Sequence, residues 1–184
     1  NQLLVDPTLG VEQRPRVLSL VADCEFMQGR YERAAEIHLQ SASGCMDHHR
    51  LWFRPLLGCV RSLLKAPHVE EAVTMAQHAL DVAKTKMAQF DAEVRAANRR
   101  LAEGQSAGIP ALPIRPSVVA SRLADQFMRE GEPEIAQQFF AQAVEASPGG
   151  ANRAKQGMAQ LALAAGDCTT ALTLSSEAIR QGQY

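Results

Sequence analysis

The chain is 184 residues long with 46% apolar residues, enough for a core of its own. Nineteen Lys and Arg against 20 Asp and Glu leave a formal charge of -1, so no basic footprint favours nucleic acid or an anionic membrane surface. No apolar run is long enough to span a bilayer, and Cys24, Cys45, Cys59 and Cys168 lie far apart with no CxxC pair, which fits reduced thiols in a cytoplasm.

Residues 1–12, with Leu3, Leu4, Asp6 and Pro7, read as the tail of a preceding helix and a linker, so the chain reads as a segment of a longer protein. The first helical hairpin is expected over 13–46, with its turn at Gly29. Aligning Gly29 with Gly131 places Ala34 over Ala136, His38 over Phe140 and Ser41 over Ala143, a small, large, small order at helical spacing. Upstream, Leu18, Val21 and Ala22 fall over Ala120, Leu123 and Ala124.

A second, degenerate hairpin occupies 47–104, with Leu57-Gly58 in its first helix and Ala72 and Ala79 in its second. Ala66, Pro67 and His68 are expected to lengthen its turn. From Glu70 to Glu103 the chain has neither Pro nor Gly, which predicts one helix more than twice the usual repeat length. Its apolar stripe runs past the repeat through Met87, Phe90, Val94 and Leu101. Either this extension folds over the neighbouring hairpin and buries Met87 and Phe90 in the same core, or it forms a seam for a homodimer or a partner helix. The narrow, Ala-rich stripe favours the first.

Residues 105–115 form a Pro- and Gly-rich return loop, and Pro116 is placed to open the next helix. A third hairpin spans 116–149 and a fourth 150–184, with Gly166 aligned to the earlier turn glycines and Ala171 and Ala178 to the small positions. Gly131 and Gly166 are 35 residues apart, within the range of helical-hairpin repeats.

Leu123-Ala124, Phe127, Gly131, Ala136, Phe140, Ala143 and Pro148 resemble the tetratricopeptide repeat signature of a small pair, an aromatic, a turn glycine and Ala, bulky, Ala. The first copy departs from it, with Glu25 at the aromatic position and Phe26 one step off. This resemblance implies an all-α fold: a right-handed superhelix of stacked antiparallel helix pairs, here with one extended helix, whose first helices line a concave wall. It further implies a non-catalytic scaffold that binds a protein or peptide partner there. The stretch with Pro148, Arg153, Gly157 and Gly166-Asp167 is similar to the last repeats of bacterial response regulators with a repeat output segment, which implies signal transduction.

Side chains on first helices that face away from their own hairpin are the candidate binding residues: Arg16, Ser19, Leu20, Asp23 and Met27, then Ser121, Arg122, Asp125 and Met128, then Arg153, Gln156 and Gln160. Met and Leu supply adaptable apolar contact and Arg supplies carboxylate recognition. Trp52, near the start of a first helix, reads equally as a core plug or a groove anchor. The positions at which co-chaperone members grip a terminal carboxylate hold Ser19, Asp23, Leu56, Val118 and Arg122, and only Arg122 suits that clamp.

No metal, cofactor or catalytic residue is expected. Asp47-His48-His49 is the densest ligand-type cluster, but neighbours on a helix diverge by about 100° and no ligand spacing supports it. His38 sits where the repeat wants bulk, so packing is its expected role. Arg95, Arg99 and Arg100 give the long helix a basic end, which suits its C-terminal dipole.

Overall fold

The computed structural model describes residues 13–149 and 151–181. All regular structure among them is α-helical. Through Ile114 the helices are α1 (Gln13–Met27), α2 (Tyr31–Ser43), α3 (Phe53–Lys65) and α4 (Val69–Ala102). From Arg115 a second compact unit holds α5 (Pro116–Arg129), α6 (Pro133–Ala146), α7 (Asn152–Ala164) and α8 (Cys168–Gln181). Within each unit the helices form two antiparallel pairs, and the second helix of one pair packs on the first helix of the next.

Three residues separate the helices of every pair. Gly29, Gly131 and Gly166 sit in the left-handed region, with φ of +78°, +88° and +82°, where an L side chain is strained. The following amide closes each turn on a carbonyl five residues back: Arg30 on Glu25 at 3.0 Å, Glu132 on Phe127 at 2.9 Å, Asp167 on Ala162 at 2.9 Å. The expected longer turn at Ala66-Pro67-His68 is corrected here. His68 donates to the Leu63 carbonyl at 2.9 Å, so this turn has the same length and closure, with Pro67 at the glycine position. Glu25, which interrupts the aromatic pattern, forms an ion pair with Arg30, while Phe26 meets the Tyr31 ring at 5.1 Å and lies under the Arg61 guanidinium.

Alanines carry the close approach inside each pair: Ala22 and Ala34, Ala72 and Ala79, and Ala120, Ala124, Ala136 and Ala143 are fully buried. Phe127 stacks on Phe139 with centroids 5.4 Å apart. Between pairs, a bulky side chain enters a hollow left by a glycine. A Cβ on Gly58 would stand 2.6 Å from the His38 ring, and one on Gly157 would stand 2.1 Å from Cζ of Phe140. Both bumps lie nine residues after the turn position of their own pair, and both hollows lie nine residues before that of the next.

The long helix runs its expected course over Val69–Ala102, but its burial differs from the expectation. Core packing stops at Ala83. Met87, Phe90 and Val94 are half-buried and Leu101 is 56% exposed, so Met87 and Phe90 do not join the core of the neighbouring hairpin. The return loop runs beside this half instead: Pro113 is buried, and Ala111 and Pro113 share a cavity with Phe90, Glu93 and His49. The reason is geometric, since α3 is only 13 residues long and cannot flank a helix of 34.

The hollow at Gly157 gives a direct test. Gly157→Ala is expected to lower stability by about 1–3 kcal/mol, because the added methyl has no room beside a rigid ring. Phe140→Leu in the same chain should recover part of that loss. Urea denaturation of the two single variants and the double variant measures the coupling, and strict additivity would refute the fit.

Candidate functional site

In the first unit, the side chains of α1 and the start of α3 converge on an open cavity of about 480 Å³. Arg16, Ser19 and Leu20 come from α1, Arg54 and Pro55 from the first turn of α3, and Cys45, Arg50 and Leu51 from the connection between α2 and α3. Leu20 is 62% exposed, although the repeat register would allow it to be buried. Ser19 is bound to Ser41 (Oγ to Oγ, 2.9 Å), and the Ser41 hydroxyl is also within 2.6 Å of the Pro15 carbonyl, which ties α1 to α2 behind the cavity.

The connection that carries Arg50 is held in place. The His48 ring nitrogen Nδ1 accepts the backbone amides of Arg50 at 3.1 Å and Leu51 at 3.2 Å, and Arg50 Nε donates to the Leu112 carbonyl at 3.0 Å. The Asp47-His48-His49 cluster is therefore a turn-former, with the two imidazoles stacked at 4.3 Å. Burial pushes the Cys45 thiol above its ordinary value, and its Sγ lies 3.3 Å from the Ser41 carbonyl. Such a thiol is a packing group and a poor nucleophile.

Asp23 and Met27, also candidates on α1, lie beyond the cavity. Met27 is 82% exposed. Asp23 stands 3.9 Å from Arg54 Nη2 and 3.6 Å from His38 Nε2. Trp52 requires a correction as a groove anchor: it is fully buried and packs edge-to-face on Phe53 at 5.7 Å, so it is a core plug that no partner can touch. Arg50 and Arg54 went unnominated by sequence, because the second hairpin is too degenerate to fix which residues of α3 face outward. The signal available was Arg54 in the first turn of a helix, where the dipole disfavours a cation.

In the second unit Arg122 is exposed, while Asp125 on α5 forms an ion pair with Arg153 on α7. Met128 is half-buried. Gln156 and Gln160 border a separate shallow cavity of about 390 Å³ with Leu163 and Leu172. The nominated residues of this unit therefore do not gather at one point.

The fold and these surfaces define an all-α protein of stacked antiparallel helix pairs, each unit with an open face on its first helices. No family model and no curated protein sequence matches the chain. Among solved structures, one described as "Crystal structure of MamA" is 14% identical, covering 89% of this chain and 95% of that one with a TM-score of 0.36. A second, "MamA MSR-1 C2", is 15% identical over 92% of this chain and 97% of that one, with a TM-score of 0.35. Neither superposes closely enough to support an assignment, so the class rests on the helix pairs of this chain.

His38 couples packing to pH beside the site. Burial is the main force holding its pKa below the ordinary 6.5; Asp23 opposes that shift, and Arg54 and Arg61 add to it. A histidine kept neutral in the folded state binds fewer protons than in the unfolded chain, so stability falls as protons are added. Its contribution is complete above pH 6.5 and is lost as the pH falls from there towards the depressed folded value. Denaturation midpoints taken between pH 7.5 and 5 should therefore decline more steeply in the natural chain than in His38→Leu, and parallel profiles would contradict this.

Proposed function

We propose that the chain is a non-catalytic scaffold for protein-protein interaction, taking a peptide or a partner helix on the first-helix face of its units. The observation that carries this reading is the cavity between α1 and α3, where exposed Leu20 and half-buried Leu51 meet the guanidinium-bearing side chains of Arg16, Arg50 and Arg54. Aliphatic surface left open beside cations suits recognition of another chain. The lining offers no pair of acid and base, and its one thiol is protonated and packed. The four free cysteines support a cytoplasmic setting for it, and the sequence resemblance alone suggests a role in bacterial signalling. No described helix is long and apolar enough to cross a membrane.

A random peptide library panned against the chain should enrich binders that lose affinity on Leu20→Asp or Arg16→Glu in the first unit, or on Arg122→Glu or Asp125→Arg in the second, with helical content unchanged. Failure to enrich any binder, or binders indifferent to all four changes, would overturn the reading.

The second reading is oligomerisation through α4, favoured by the apolar stripe at Met87, Phe90, Val94 and Leu101, which lies outside the core and leaves Leu101 exposed. Light scattering over a range of concentrations decides it. A dimer mass that Phe90→Asp reduces to a monomer would establish the homodimer, and a monomer in both chains would end the idea.

A further inference from the structure

The geometry points to the partner's chemistry: the α1–α3 cavity takes an acidic peptide segment, with a carboxylate on either side of an aliphatic side chain. This rests on the scaffold reading and specifies the ligand of that site.

Three arguments carry it. First, Arg16, Arg50 and Arg54 all line one cavity, and no acidic side chain is among its lining residues. Among the described residues, one carboxylate contact to the three is seen, Asp23 at 3.9 Å from Arg54 Nη2. The Arg54 side chain is 82% exposed, so this long contact leaves its guanidinium open to a ligand. Second, the positive potential is built up where local stability would remove it. Arg54 lies in the first turn of α3, which has no acidic residue in that turn and no side-chain cap, so the cation adds to the helix dipole. The other first helices α1, α5 and α7 likewise have no acidic residue in their first turn, whereas α2, α4 and α6 each carry glutamate there, so cations near the starts of first helices meet no local counter-charge from their own first turn. Third, part of the cation array is preorganised. The Leu112 carbonyl holds Nε of Arg50 at 3.0 Å, and the His48 ring fixes the backbone beneath it. A guanidinium held by one edge presents its remaining donors at little entropic cost, in the planar form that matches a carboxylate.

The floor specifies the rest. Leu20 and Leu51 offer aliphatic surface, while Trp52, the one tryptophan, is fully buried and unavailable for stacking on bases. Three cations around an aliphatic floor fit carboxylates flanking Leu, Ile or Val better than a nucleic acid, which would need a longer basic track and exposed aromatic platforms.

Panning a random twelve-residue library and measuring the leading synthetic peptide by fluorescence anisotropy tests this. Enriched sequences should carry at least two Asp or Glu around an aliphatic residue. Arg54→Gln should weaken the leading peptide about tenfold. Arg16→Gln should do the same, and Asp and Glu replaced by Asn and Gln in the peptide should abolish binding. The Arg54 side chain is 82% exposed, so its variant is expected to keep the fold, and a circular dichroism melt verifies that. Enrichment of neutral or basic peptides that still depend on Leu20 would overturn the acidic assignment and leave the scaffold reading standing. Binders that depend on Arg122 or Asp125 but not on Leu20 or the arginines would overturn the acidic assignment alone, and absence of any binder sensitive to either surface would overturn both. A labelled single-stranded oligonucleotide that displaces the peptide at equal concentration would also overturn the assignment, in favour of a general polyanion site.

Discussion

A ring entering the space above a glycine is the contact on which the architecture depends. His38 enters above Gly58 and Phe140 above Gly157, and in each case a single methyl at the glycine would collide with the ring. A glycine in a helix interior costs about 1 kcal/mol relative to alanine, so two of them at the same register mark a packing demand stronger than helix propensity. The alanines serve the complementary purpose inside each pair, where they let two backbones approach. With both spacings fixed by side-chain size, first helices lie beside first helices, and their outward side chains share a face. The meeting of Arg16 and Leu20 with Arg54 follows from that arrangement.

His38 shows how one position serves packing and electrostatics together. Phenylalanine fills the same register in the second unit at no electrostatic cost. The imidazole leaves Nδ1 buried without a partner and keeps Nε2 3.6 Å from Asp23, beyond hydrogen-bond reach. A neutral ring tolerates this where a charged one does not. The neighbouring Arg54 and Arg61 reinforce the preference, so the cations that open the cavity to acidic ligands also help to keep the bump uncharged.

The hairpin order, the extended helix and its start near residue 70 were legible in the sequence, because helix-helix packing writes itself as residue size at fixed spacing. On α1 the first copy keeps its register, and of its nominated residues Arg16 and Leu20 line the cavity while Asp23 and Met27 lie beyond it. Three features were not. Arg50 comes from a connection, where no periodicity applies, and its position depends on a carbonyl 62 residues away. Trp52 could be placed near a helix start but not on a side of it, since α3 packs on both α2 and α4 and its inward arc is wide. The return loop comes to lie beside Phe90, and its path depends on where its prolines find a surface.

The same packing register also distinguishes the helices that make or receive a bump from those that do neither. Counting nine residues past the turn position gives His38 and Phe140 where a bump is made, and Ala76 and Ser175 in the last helix of each unit. Counting nine before it gives Gly58 and Gly157 where a bump is received, and Leu20 and Arg122 in the first helix of each unit. Ala76 and Ser175 thus present no ring at the register where His38 and Phe140 do. Leu20 and Arg122 are exposed, and each holds a large side chain at a register that Gly58 and Gly157 reduce to a hydrogen atom to admit a neighbour. An exposed large side chain at that register is available to meet another molecule, which ties the candidate binding residues to the same size pattern that stacks the pairs.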